Sequence, residues 1–120
     1  MQKVIEYLRV NQPRFIQELC DYVRFPSVSA QPQHMKDMKA CAQWLRRHCQ
    51  GIGLQASVCQ TGGHPVVIAK TPRGKASKRP HFVVYGHYDV QPAEPFELWK
   101  SPPFEPRIAG HSLFARGATD

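Results

Sequence analysis

The hydrophobic positions of residues 1–50 recur at helical spacing, and those of the remainder do not. Val4, Ile5 and Leu8 give residues 2–10 one apolar side, and Phe15, Ile16, Leu19, Cys20 and Val23 continue with steps of three and four. Asn11 is a capping residue type, and Pro13 suits a first helical turn, where its missing N–H costs nothing. This predicts two helices, the second ending before Pro26, with 24–29 as a turn or extended connection. A third helix is predicted from about His34 to Cys49. Met35, Met38, Ala42, Leu45 and Cys49 form its buried stripe with Trp44 at the edge, while Lys36, Lys39, Gln43, Arg46 and Arg47 make the wet side. Gly51 and Gly53 end it.

After Leu54 the pattern shortens to strand-like runs: 55–60, the β-branched 66–70, and the strongly apolar 80–86. Gly62-Gly63 predicts a hairpin between the first two runs. The proline-rich stretch 90–106 reads as an ordered irregular loop packed by Phe96, Trp99 and Phe104. Short strands at 107–109 and 112–115 flank a turn at Gly110-His111. Helices followed by a strand-rich half, with one apolar run suited to a buried central strand, point to an α/β sheet protein with helices packed on the sheet. No internal repeat interrupts the chain, and a single domain portion over 1–120 is expected.

Composition narrows the class. The mean hydropathy of -0.45 and the absence of any apolar run near the ~20 residues of a spanning helix argue against a membrane protein. Residues 1–10 mix Gln, Lys, Glu and Arg with apolar residues, so a secretory signal is not expected and a cytoplasmic location is. The four cysteines, Cys20, Cys41, Cys49 and Cys59, show no C-x-x-C spacing and read as reduced thiols used as small hydrophobes. The formal charge is +7, and five cations crowd into residues 70–79. That stretch has no aromatic to stack on bases and reads as a solvated loop, so nucleic acid is not an expected partner.

The chemistry concentrates at the end of the run 82–86, where His87 and Asp89 follow Gly86. Ligands bind at the carboxyl ends of central strands in open α/β sheets, and residues two apart in an extended segment face the same way. His87 and Asp89 can therefore converge, the imidazole as a metal ligand and the carboxylate as the group that fixes its tautomer. By itself an H-x-D is more often a histidine and an aspartate capping a turn.

A longer ordered pattern separates these readings. The motif His87-Tyr-Asp-Val-Gln-Pro92 is followed by Trp99-Lys-Ser-Pro-Pro-Phe-Glu-Pro106 and then by Leu113-Phe-Ala-Arg-Gly-Ala-Thr-Asp120. The three in this order resemble the zinc-dependent aminoacylase, carboxypeptidase and dipeptidase family of metallopeptidases, nearest its cytosolic non-specific dipeptidase and carnosinase branch. The resemblance spans roughly Phe15 to Asp120.

The resemblance implies the amino-terminal part of a mixed-sheet catalytic domain, with the family's lid domain not present in this chain. It implies two divalent metal ions, zinc first with manganese or cobalt as alternatives, and a dipeptide or N-acyl amino acid as substrate. His87 would ligate one metal, Asp89 would orient the site, and Asp120 would bridge the two metals. Arg116 and Gly117 would shape the turn that delivers Asp120, with Arg116 as an ion-pair or backbone anchor. A homodimer of the full-length protein is compatible with the family. The chain departs from the family pattern in having Gly110-His111 where Asp-Gly is common. His111 reads as an exposed turn residue. The family's Glu-Glu pair and distal His, which supply the general base and further ligands, find no match here, so the 120 residues alone are expected to be inactive. The alternative is a short non-catalytic product that binds or regulates a full-length relative.

Overall fold

The structure, a computed structural model, describes residues 1–72 and 80–119. The chain forms two compact units, Ser27–Asp89 and a second made of Met1–Pro26 with Val90–Asp120.

The second unit opens with one helix, α1 (Gln2–Val23), where the sequence predicts two. Pro13 lies inside α1 and denies the Arg9 carbonyl its partner, a loss of about 3 kcal/mol in a helix interior. The helix continues because side chains bridge the weak turn. Asn11, instead of capping a new helix, donates from Nδ2 to the Tyr7 carbonyl at 2.8 Å. Arg14 donates to Asn11 Oδ1 at 3.4 Å, to Glu18 Oε1 at 2.6 Å and to the Tyr7 hydroxyl at 3.0 Å. Its guanidinium also lies 4.7 Å from the Phe15 ring centroid. Arg9 is exposed, so water can reach its carbonyl. Of the apolar stripe only Cys20 and Val23 are buried.

The same unit holds a 3₁₀ turn, Phe96–Leu98, and the antiparallel pair β3 (Arg107–Ala109) and β4 (Ser112–Phe114). Gly110 at φ +60° takes the left-handed position that a two-residue hairpin requires, so the expected turn forms. The Arg107 guanidinium sits 5.0 Å from the ring of its register partner Phe114. In the loop 90–106, Trp99 donates from Nε1 to the Ala93 carbonyl at 2.8 Å. Phe96 is exposed, in contrast to its expected packing role, because the 3₁₀ turn carries it outward.

Unit Ser27–Asp89 has the helix-on-hairpin core. A 3₁₀ turn (Pro32–His34) leads into α2 (Met35–Gly51), whose first turn is fixed by His34 Nδ1 donating to Asp37 Oδ2 at 2.9 Å. Gly53, at φ +90°, reverses the chain after α2. Strands β1 (Gln55–Cys59) and β2 (Val66–Lys70) pair antiparallel with Gln55 opposite Lys70 and Cys59 opposite Val66. The loop between them is stapled by Thr61, whose Oγ1 donates to the His64 carbonyl and accepts from the Gly63 N–H. α2 packs on both strands through Met38, Cys41 and Ala42, and Val28 is buried with them. Met35, expected in the stripe, is exposed one turn before the packed surface begins.

The apolar run 80–86, predicted as a central strand, enters no ladder among the described residues. Strand composition is present, but a strand forms only where a second segment lies alongside it, and among the described residues β1 and β2 pair only with each other. Phe82, Val83, Val84 and Tyr85 are left 86%, 96%, 94% and 89% exposed. A contiguous apolar run of this kind self-associates unless a charge interrupts it. Val83→Lys should therefore raise the soluble monomeric fraction of the chain, read by sedimentation velocity over a concentration series. Equal self-association in both proteins would mean that another surface drives it.

Candidate metal centre

Residues 87–89 belong to no helix or strand, and side chains from elsewhere in their unit hold them. The anchor is Tyr88. Its carbonyl accepts from Ser27 Oγ, a 3% exposed side chain, at 2.8 Å, and Cys41 Sγ lies 4.0 Å from the same oxygen. Its hydroxyl donates to the Pro65 carbonyl at 2.5 Å. Tyr88 is thus fixed at both ends, which leaves its neighbours two residues apart to act together.

They do. His87 Nδ1 lies 3.0 Å from the Asp89 carbonyl and 3.1 Å from Asp89 Oδ1. Both oxygens are acceptors, so Nδ1 carries the hydrogen and the lone pair of the neutral ring resides on Nε2. The other carboxylate oxygen, Oδ2, accepts from Ser29 Oγ at 2.5 Å. The Ser29 carbonyl accepts from His64 Nε2 at 2.9 Å. The Ser29 hydroxyl holds the Asp89 carboxyl below the usual carboxylate range, His87 adds to this, and partial burial works against both. Asp89 is therefore ionised at neutral pH, as a carboxylate that orients a histidine must be.

Burial dominates the neighbours. It pushes the Cys41 thiol up to about 12 against the opposing hydrogen bond from Ser27. Tyr88 is raised first by burial, then by the charges of Cys41 and Asp89.

Asp120, the expected bridging ligand, lies outside the described residues, as do residues 73–79 of the expected basic loop. Lys70 ends β2. Arg116, expected as an ion-pair or backbone anchor, joins no ion pair among the described residues. Its backbone N–H donates to the Pro103 carbonyl at 2.7 Å, and its guanidinium lies 5.2 Å from the Trp99 ring centroid. That is a packing role within its own unit. His111 is exposed in the β3–β4 turn. Among the described residues no group of three or more His, Cys, Asp or Glu is placed to hold a metal. The donor set that is present still suits one ligand position, since an imidazole whose Nδ1–H is held by a carboxylate is the usual form of a metal-binding histidine.

Sequence reasoning missed Ser29 and His64. Ser27 and Ser29 stand two apart, as His87 and Asp89 do, and that matched spacing was the one available signal.

Comparison with known proteins defines the class. No family profile matches the chain. The chain is 29% identical to the Beta-Ala-His dipeptidase of Rattus norvegicus over 100% of its own length and 27% of that protein's. Over 67% of its length it is 36% identical to succinyl-diaminopimelate desuccinylase 1 of Alteromonas mediterranea, covering 20% of that protein. The crystal structure of human carnosine dipeptidase 1 superimposes with a TM-score of 0.89 at 27% identity, covering 99% of this chain and 27% of that one. The fold is thus the amino-terminal part of a dipeptidase-type catalytic domain. The chain belongs to the aminoacylase, carboxypeptidase and dipeptidase family of metallopeptidases. It spans about a quarter of the length of the relatives it matches.

The thiol shift gives a direct check. With its thiol at about 12, Cys41 should have only ~0.01% thiolate at pH 8 and resist alkylation. Cys49 and Cys59, both partly exposed, should react first with iodoacetamide. Peptide mapping that finds Cys41 modified as fast as Cys59 would show that the Ser27–Cys41–Tyr88 core opens in solution.

Proposed function

We propose that this chain contributes one side of a two-metal site that hydrolyses the amide bond of a dipeptide or an N-acyl amino acid in the whole protein. The observation that carries this reading is the contact of His87 Nδ1 with the Asp89 carboxylate, 3.1 Å away. It turns Nε2 into the ligating nitrogen. The family resemblance adds Asp120 as a carboxylate shared by both metals and zinc as the metal. When bound, a metal pair supplies Lewis acidity towards water and the scissile carbonyl. The contribution of this chain is orientation. Asp89 holds the ring hydrogen on Nδ1, which leaves the lone pair on Nε2, and its negative charge strengthens the ring as an electron-pair donor.

A catalytic zinc takes about three protein ligands, and His87 and Asp120 are fewer than one such set. The isolated 120-residue polypeptide should accordingly hydrolyse no dipeptide with zinc or manganese added. Turnover that co-purifies with the chain through orthogonal chromatography steps would overturn that expectation.

The assigned roles predict an order of damage in the whole protein. Asp120→Ala should be worst, since a bridging carboxylate serves two metals. His87→Ala should weaken one metal. Asp89→Asn should keep most of the metal and lower activity by about 10–100-fold, the usual cost of losing a group that orients a ligand. Elemental analysis beside hydrolysis rates decides this. Full metal content and near-normal rates in both His87→Ala and Asp120→Ala would reduce the motif to a structural turn.

A further inference from the structure

We propose that Ser29 is a positioning residue of this site, anchored by His64, and that it sets which nitrogen of His87 is presented to a metal. The inference rests on the reading of His87 as a metal ligand. The geometry is two donations that end on one carboxylate, and a third that anchors the serine making one of them. His87 Nδ1 reaches Asp89 Oδ1 at 3.1 Å, Ser29 Oγ reaches Asp89 Oδ2 at 2.5 Å, and His64 Nε2 reaches the Ser29 carbonyl at 2.9 Å.

Each link has a physical reason. The last torsion of an aspartate is soft, so one hydrogen bond alone does not fix the carboxylate plane. A second donor on the other oxygen does. Ser29 is itself held on both sides. Val28 before it is 1% exposed, and the Gln31 N–H donates to the Val28 carbonyl at 3.3 Å, closing the turn. His64 ties that turn to the β1–β2 loop, which Thr61 staples at 2.8 Å and 3.0 Å. The carboxylate plane is thereby referred back to the helix-and-hairpin core.

Without the Ser29 hydroxyl, Asp89 Oδ2 would be left to water and the carboxylate could swing off Nδ1. The Asp89 carbonyl, 3.0 Å from Nδ1, would remain, an uncharged and weaker acceptor than the carboxylate. A partial change of tautomer follows, with hydrogen moving to Nε2 and the lone pair to Nδ1, the wrong side of the ring for a metal. A serine that merely shapes its turn has no such effect.

The test uses the 120-residue chain, metal-free, at a pH where histidine is neutral, with ¹⁵N-labelled imidazoles read by long-range ¹H–¹⁵N correlation. Wild type should show His87 mainly as the Nδ1–H form. Ser29→Ala should enrich the Nε2–H form several-fold, and Ser29→Thr, which keeps the hydroxyl, should restore the wild-type pattern. His64→Leu should give a smaller change in the same direction. A wild-type His87 that is mainly Nε2–H overturns the proposal without any variant, and so does a Ser29→Ala spectrum identical to wild type in a folded chain.

Zinc binding by the whole protein separates the two levels of inference. Ser29→Ala there should lower the apparent zinc affinity by about 10-fold. If His87→Ala leaves the zinc affinity of the whole protein unchanged while the tautomer still follows Ser29, the positioning role is supported and the metal reading alone is overturned.

Discussion

No repeating backbone ladder holds residues 87–89, and everything proposed for the site depends on what replaces it. A strand would fix these residues through alternate N–H and C=O bonds to a neighbour. Here the Tyr88 carbonyl is taken by Ser27 and the Asp89 carboxylate by Ser29, so two serines spaced like strand residues do the work of a ladder. The substitution is effective because Ser27 is nearly buried, and the hydrogen bond to Tyr88 is shielded from water. Losing it would strand the buried Ser27 hydroxyl, which costs more than the bond itself is worth.

That clamp relies in turn on the apolar core beside it. Val28 lies between the two serines at 1% exposure, and Met38, Cys41 and Ala42 are buried at 2%, 0% and 0%. Cys41 shows how the two layers merge. Its burial keeps the thiol protonated, so it packs as a small hydrophobe while its Sγ stays near the Tyr88 carbonyl. Polar and apolar contacts therefore register the same short segment, and a shift in α2 would reach Asp89 through either.

The elements legible in the sequence are those whose signals are local. α2 follows from its stripe and its terminal glycines, and each hairpin from its turn: Gly62-Gly63 in one, Gly110 at φ +60° in the other. The misreadings share one cause, dependence on a partner. Pro13 suggests a break, yet Arg14 and Asn11 bridge it with contacts to Tyr7 and Glu18 that no residue type announces. The run 82–85 has the composition of a strand, but pairing is a property of two segments. His87 and Asp89 could be singled out because they are adjacent and chemically distinctive. Ser29 could not, since its partner lies sixty residues on and a serine after a proline turn looks like any other.

The two histidines in the network are used in opposite senses, and this follows from what each faces. His64 meets a backbone carbonyl through Nε2, so it must hold hydrogen there and serves as a donor in this contact. His87 meets a carboxylate and a carbonyl through Nδ1, so its hydrogen is held there and its lone pair is turned the other way. The same side chain is a structural bolt in one place and, in the proposed site, a metal ligand in the other. What distinguishes them is the acceptor that each Nδ1 or Nε2 finds, and in both cases Ser29 provides or positions that acceptor. A residue with no reactive chemistry of its own thus decides the chemistry of the two that have it, because a tautomer is chosen by its surroundings more readily than by the ring.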